Sequence, residues 1–317
     1  MKIKSIFTKH SKNGIIVAVE GDFMKKIAFV YNPHAGKGKI ENCFVDIVRA
    51  FSKEDCEITL MPTKRRNHCS EYIAHEGHRF DKIIIAGGDG TVNEAFNALM
   101  TLEERPILGY IPMGTTNDFA ASCNIPTDPA MAAGVAVGDY VSCIDAGRFN
   151  DKYFSYVAAF GVLTDVAYDT PQENKNLFGR AAYIVEGIKR LANVRSYKMK
   201  IECNGEVIED EFIFGMVANS NSVGGIKIKS LQVDLCDGLF EVLLFKKIQK
   251  ASDLNEIIAD LLNKKTDSEH YYVIKTDKVK FSSTESIAWT LDGEYGGEAD
   301  ATEVENIPRA IKIAVAE

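Results

Sequence analysis

The chain has 317 residues, 46% hydrophobic and 26% charged, a balance that excludes a disordered polypeptide and a membrane-spanning one. Its formal net charge of −8 argues against broad nucleic-acid binding, which requires many phosphate-neutralising cations. No apolar run approaches the roughly 20 residues that cross a bilayer and no charged-apolar-small leader opens the sequence, so a cytoplasmic protein of one or two domains is expected.

In chain order, residues 1–23 form an extension ahead of Met24, readable as an added hairpin or a dispensable segment. From Lys26 to about Cys143, short strand-like and helix-like segments alternate, as in a doubly wound parallel sheet. Its strands are expected at 27–32, 57–62, 82–86, 107–111 and 141–146, with helices in the intervals. Phe44, Ile47, Val48 and Phe51 recur three or four apart, the spacing of one buried helical face. Asp128-Pro129 opens another helix: Asp128 can cap it, and Pro129 sacrifices no hydrogen bond in the first turn.

After about Gly147 the runs lengthen and alternate, at 153–165, 196–203, 206–219, 239–245 and 271–281, which predicts a mainly antiparallel, sandwich-like sheet. Asn204-Gly205 is the expected hairpin turn, because both residues tolerate positive φ. Helices are expected near 178–194 and 252–264. The last run, 309–316, either closes the second sheet or returns to the first. The expected division is therefore an extension over 1–23, an α/β domain over 24–146 and a β-rich domain over 147–317.

The densest chemistry lies at 82–96, Lys-Ile-Ile-Ile-Ala-Gly-Gly-Asp-Gly-Thr-Val-Asn-Glu-Ala-Phe, between a strand and a helix. Gly87, Gly88 and Gly90 let the backbone approach a ligand, Thr91 can cap the helix, and helix N-termini attract phosphate. A carboxylate beside a polyphosphate is repulsive unless a divalent cation or a hydroxyl proton lies between them. Asp89 therefore indicates Mg²⁺ or a phosphoryl acceptor; a glycine-rich surface turn is the plain alternative.

Three more segments leave strands at the same carboxyl ends and would line one crevice of a doubly wound sheet. Asn32-Pro33-His34-Ala35-Gly36-Lys37-Gly38-Lys39 supplies exposed amides and lysines but lacks the Walker A spacing. Thr63 follows the second strand, and Pro112-Met113-Gly114-Thr115-Thr116-Asn117-Asp118-Phe119 follows the fourth. Thr116 or Asn117 could simply cap the next helix. The seven cysteines are scattered and odd in number, which reads as reduced structural thiols. His75 and His78 lack both the zinc-protease spacing and a third ligand.

On these motifs, together with Leu291-Asp292-Gly293-Glu294, the chain resembles the bacterial diacylglycerol kinase-like lipid kinases, relatives of sphingosine kinases and of eukaryotic diacylglycerol kinase catalytic domains. The match runs from about Lys25 to Ala316. Its central motif is shared with NAD kinases and, loosely, phosphofructokinases, whereas Gly-Thr-Xaa-Asn-Asp and Leu-Asp-Gly-Glu favour the lipid kinases. The resemblance implies that Asn32, Pro33, His34, Ala35, Gly36, Thr63, Gly87, Gly88, Asp89, Gly90, Thr91, Val92, Asn93 and Thr115 bind ATP, with Mg²⁺ near Asp89. It implies Glu294 as the base that takes the lipid hydroxyl proton, with Asp292 as its partner and Asp89 as a rival. It also implies a structural Mg²⁺ held by Asp234, Asp237 and the carbonyl of Leu239, linked through water to Asp145. Here the chain departs from the usual paired aspartates, because Cys236 precedes Asp237.

Between Lys175 and Lys200 the basic residues Lys175, Arg180, Lys189, Arg190, Arg195, Lys198 and Lys200 outnumber one acid, Glu186, beside an apolar stripe of Tyr183, Ile184, Ile188 and Leu191. That combination suits transient docking on the inner face of a membrane, or a solvated face over an ordinary core. The expected activity is ATP-dependent phosphorylation of diacylglycerol or a similar lipid. Alternatives are a kinase of a soluble metabolite such as NAD and a nucleotide-binding regulator without turnover. A monomer and a homodimer both stay open.

Overall fold

The computed structural model describes residues 5–11, 14–20, 24–161, 195–220, 222–223, 226–227, 233–250 and 268–317, with positions 253, 256–257, 259–260 and 265 between the last two ranges. Within the extension, β1 (Ser5–Ser11) and β2 (Gly14–Glu20) pair as an antiparallel hairpin.

The α/β part runs β3 (Lys25–Tyr31), α1 (Lys39–Phe51), β4 (Cys56–Pro62), α2 (His68–Glu76), β5 (Lys82–Gly87), α3 (Asp89–Met100), β6 (Ile107–Pro112), α4 (Asp118–Ser122) and α5 (Pro129–Val137). The spatial order β4-β3-β5-β6 is parallel throughout. All six residues of β5 are buried, as an apolar run covered on both faces must be. From β3 the chain moves outward to β4, then crosses back to β5 on the other side of β3, so the topological switch point lies between β3 and β5. The register sets Tyr31 opposite both Pro62 and Ala86, and Gly87 opposite Pro112. Thr63, Asn32, Gly88 and Met113 consequently leave the sheet along one edge.

On α1, Ile47 and Phe51 are buried and Phe44 is half-buried, but Val48 is 40% exposed, so the buried stripe is narrower than the spacing predicts. Asp128 caps α5 by accepting from the Met131 amide at 2.9 Å. At the other end of that helix, the buried Lys82 ammonium donates to the carbonyls of Val137 (3.0 Å) and Gly138 (2.5 Å). It supplies donors to helix-terminal carbonyls that lack intrahelical partners.

The further described strands are β7 (Val141–Phe149), β8 (Lys152–Phe154), β9 (Val157–Gly161), β10 (Tyr197–Cys203), β11 (Glu206–Ala218), the two-residue pair β12 (Ser222–Val223) and β13 (Ile226–Lys227), β14 (Phe240–Lys246), β15 (Tyr271–Thr276), β16 (Lys278–Leu291) and β17 (Glu294–Ala314). Asn204 (φ 52°) and Gly205 (φ 77°) turn β10 into β11, in the left-handed conformation their residue types tolerate. The run expected over 271–281 is two strands, parted where Thr276 Oγ1 donates to the Lys278 carbonyl. The run expected from 153 breaks between β8 and β9 at Ser155 and Tyr156, whose amides serve Asp292 instead.

The 21-residue β17 makes the sheet continuous, pairing antiparallel with β16 and β7 and parallel with β6 at Ile313 opposite Leu108. The fifth parallel strand expected at 141–146 is thereby corrected: β7 is antiparallel to β17, and β17 takes the seat beside β6. Local alternation marks a strand, but its direction comes from a partner more than 150 residues away. A second core on the β-rich side gathers Phe149, Phe160 and Phe281 around Trp289, with ring centroids 4.9–5.1 Å from the indole.

The helix expected at 178–194 and its apolar stripe lie outside the described residues, as do Lys175, Arg180, Lys189 and Arg190. Of the basic residues that are described, Arg195 pairs with Glu285 and Lys200 with Glu202. Near 252–264, positions 253, 256–257 and 259–260 are helical. No described helix is long and apolar enough to cross a membrane.

Candidate active site

Four loops meet where β3–β6 end. Asn32 donates its amide to the Ala86 carbonyl at 3.1 Å, and Thr63 donates to Tyr31 at 2.8 Å, tying the first and second loops to the strands beside them. The Asn32 side chain shapes its own loop by accepting from the His34 amide at 2.9 Å. Gly88 and Gly114 approach backbone to backbone: a Cβ on Gly114 would lie 2.7 Å from the Gly88 Cα. A Cβ on Gly87 would lie 2.2 Å from Thr91 Oγ1. Only glycine permits that closeness.

Thr91 does not cap α3. The helix begins at Asp89 after Gly88, which offers no side-chain cap, and Thr91 instead sits one turn in, over Gly87. The Thr91 amide donates to the Gly88 carbonyl at 2.9 Å, so the amides a phosphate could meet are those ahead of it at the helix start. Val92 is buried in the core and has only backbone to offer a ligand. Thr115 is exposed on the loop after β6, and Thr63 is half-buried.

Asp89 Oδ2 accepts from the Asn117 amide at 3.0 Å, while Oδ1 is buried without a protein partner. Burial, then the neighbouring Asp118 carboxylate, raise its pKa from 3.8 to about 6. Asn117 organises this corner: its Oδ1 accepts from the Gly114 amide at 2.8 Å, its Nδ2 donates to the Gly114 carbonyl at 2.9 Å, and its backbone is left-handed at φ 53°. Tyr110 donates to the Gly87 carbonyl at 3.1 Å beneath it.

The Leu-Asp-Gly-Glu segment is the turn joining β16 to β17, with Asp292 (φ 52°) and Gly293 (φ 82°) at its tip. Its two carboxylates have separate fates. Asp292 is buried and accepts five hydrogen bonds at 2.8–3.1 Å, from the amides of Ser155, Tyr156 and Val157, the Ser155 hydroxyl and Asn93 Nδ2. Burial raises its pKa against the pull of those donors. With both oxygens occupied, Asp292 anchors α3 and the β8–β9 bend to the turn, and the Asn93 amide is spent inside the protein. Glu294 instead remains half-exposed, with Oε1 3.6 Å from where a Cβ on Gly90 would stand and Oε2 accepting from Arg66 Nη2 at 2.7 Å. Arg66 was not marked by the sequence as a site residue, and Asn117 was read as part of a crevice-lining segment or as a helix cap, although its side chain caps nothing here. The left-handed tolerance of Asn117 is a usable signal, but Arg66 meets its partner 228 positions away.

The donor chemistry at Asp89 fits a hard divalent cation: an oxygen without a partner, on a carboxylate that burial leaves short of compensating charge. The second implied metal set fits poorly. Asp237 Oδ1 accepts from the Leu239 amide at 3.0 Å and Oδ2 pairs with Lys275 Nζ at 2.8 Å, while Asp234 Oδ1 accepts from the Cys236 amide at 3.1 Å. Lys275 is the cross-strand partner of Glu241, whose carboxylate it also meets at 3.4 Å, so register places an ammonium where a cation would go. Asp145 is buried and committed to the amides of Gly238 (2.8 Å) and Arg309 (2.7 Å).

A glycine-lined crevice at the switch point, faced by a β-rich half that carries the half-exposed Glu294 carboxylate, defines a phosphotransferase of NAD kinase-like architecture. The profile described as the diacylglycerol kinase catalytic domain matches residues 26–149, and that of the YegS C-terminal NAD kinase beta sandwich-like domain matches 157–315. The chain is 33% identical over 276 residues to a diacylglycerol kinase of Bacillus subtilis (strain 168), covering 86% of this chain and 91% of the relative. It is 32% identical to one of Staphylococcus haemolyticus (strain JCSC1435), covering 92% and 88%. A crystal structure from Bacillus anthracis str. Sterne superposes with a TM-score of 0.81 at 25% identity, over 94% of this chain and 97% of that one. Yeast NADH kinase shares the fold alone, with a TM-score of 0.55 at 10% identity over 100% and 91%. The chain belongs to the diacylglycerol kinase family, and it is a kinase.

Proposed function

We propose that the protein transfers the terminal phosphoryl group of ATP to the hydroxyl of diacylglycerol or a similar single-hydroxyl lipid. The observation that carries this reading is Glu294, a half-exposed carboxylate beside the first turn of α3 and facing the loop crevice. The names of its relatives supply the substrate class. In this reading residues 24–146 bind the nucleotide and 147–317 receive the lipid, presented through transient contact with a membrane surface.

The loops 32–36 and 87–93, with Thr63 and Thr115, hold ATP chiefly through backbone amides. Asp89 would hold Mg²⁺, which would supply neutralisation of phosphate charge. The lipid hydroxyl oxygen forms a bond to the terminal phosphorus as the bridging P–O bond breaks, ADP leaves with that electron pair, and the hydroxyl proton passes to Glu294. Asp292 positions Glu294 by fixing the turn and takes no proton. Alignment and charge neutralisation account for most of the rate in such a transfer.

Labelled ATP and Mg²⁺ are to be incubated with mixed-micelle diacylglycerol, monoacylglycerol, ceramide, sphingosine and NAD. Labelled phosphatidic acid is the expected product. Preferential labelling of NAD would replace the lipid reading, and no transfer to any acceptor would favour a regulator.

A further inference from the structure

Arg65 and Arg66 are adjacent on the loop after β4, yet they serve different elements. Arg65 is committed to Glu71 of α2 through two hydrogen bonds, at 2.7 and 2.6 Å. Arg66 reaches across the crevice to Glu294. The loop backbone that carries it is pinned on both sides, by the Thr63 amide to Tyr31 and by the Asn67 amide to Glu94 Oε1 of α3 at 2.9 Å. Arg66 is thus anchored on the nucleotide side while its guanidinium lies over the lipid side.

Three features converge at that point: the guanidinium, the Glu294 carboxylate, and the amino end of α3 at Gly90. A cation beside a helix N-terminus is unfavourable unless an anion accompanies it. Glu294 is that anion, and it holds Arg66 through an exposed pair (76% and 48%) of the kind that is weakly maintained in water. A polyphosphate seated on the amides of α3 brings more negative charge to the same place, and a guanidinium recognises phosphate oxygens in a planar, two-pronged geometry.

We propose that Arg66 is a positioning residue shared between Glu294 and the terminal phosphate of ATP. Before the nucleotide arrives, it holds Glu294 by one oxygen, Oε2, while Oε1 lies beside the first turn of α3. When ATP is seated, Arg66 turns to the phosphate and releases Oε2, so both oxygens of the base are open only with the phosphoryl donor in place. This inference rests on the kinase reading above.

Calorimetric titration of ATP, ADP and AMP in the presence of Mg²⁺ tests it without any turnover. Arg66→Met is expected to weaken ATP about tenfold and leave AMP within twofold. Glu294→Gln removes the competing charge and should tighten ATP at least about threefold; that gain should vanish in the double variant. Arg66→Lys should recover part of the ATP affinity, and circular dichroism should match the wild type throughout. ATP affinity unmoved in Arg66→Met, or a Glu294→Gln gain that persists without Arg66, would overturn the shared role. Failure of the wild type to bind ATP at millimolar concentration would overturn the parent reading instead, and this one with it.

Discussion

Two carboxylates two positions apart in sequence, Asp292 and Glu294, are assigned opposite tasks by their surroundings. Asp292 accepts five donors and faces inward, so Asp292→Ala orphans buried amides and should destabilise the fold by about 3 kcal/mol or more in urea unfolding. Glu294 has one exposed ion pair, so Glu294→Gln should leave the unfolding midpoint in place while slowing transfer at least about tenfold, or roughly 1.4 kcal/mol. Equal stability losses in both variants would merge the two roles. Asp89 differs again, because its carboxyl near 6 lies above the ordinary 3.8. A raised folded value means that the folded protein binds the proton more tightly, and this contribution is lost as pH rises from about 4 through about 6. Asparagine carries no such penalty. In EDTA and without nucleotide, Asp89→Asn should therefore gain stability over wild type across that window, up to about 3 kcal/mol above pH 6. Transfer by the same variant should fall at least about tenfold. A stability difference that stays flat with pH would remove the buried-charge account of Asp89.

At the scale of elements, the site depends on two loops that approach backbone to backbone at Gly88 and Gly114. Gly114→Ala would press a methyl group to 2.7 Å from the Gly88 Cα, backbone that cannot rotate away, so the loops after β5 and β6 must part. ATP affinity measured by calorimetry is expected to fall at least about tenfold, or 1.4 kcal/mol, with the α-helical signal kept. Unchanged affinity would mean that this contact does not shape the nucleotide site. Much of the architecture was legible from such local chemistry. The four parallel strands, the Asp128 cap and the Asn204-Gly205 turn each rest on residue types that act within a few positions. Elements defined by distant partners were not legible. The direction of β7 is fixed by β17, the break at Ser155 exists because its amide serves Asp292, and the Arg66–Glu294 pair joins loops 228 positions apart. The second metal set shows the same limit from the other side: Asp234 and Asp237 stand where the motif puts them, but Lys275 comes in from β15 by register with Glu241.

For the molecule as a whole, β17 removes the mechanical independence that an α/β half and a β half would otherwise have. Its amino-terminal part completes the antiparallel sheet against β16, and Ile311 and Ile313 are buried in the core of the parallel one. Unfolding either half must strip hydrogen bonds from a strand the other half needs, which favours a single cooperative transition. The lone tryptophan makes this measurable, because Trp289 is buried among the aromatic rings of the β-rich side. A ligand that binds only the folded state raises the transition of whatever unit unfolds with its site, by about 2.7 kcal/mol at a hundredfold excess over Kd. Saturating ATP and Mg²⁺ should therefore shift the urea midpoint seen by Trp289 fluorescence as far as the one seen by far-ultraviolet dichroism. If the halves unfold separately, the dichroism will split into two transitions and the tryptophan midpoint will ignore the nucleotide. Coincident shifts would mean that binding at the switch point also stabilises the β-rich half, the coupling that the proposed transfer requires, since it sets the phosphate on one half and Glu294 on the other.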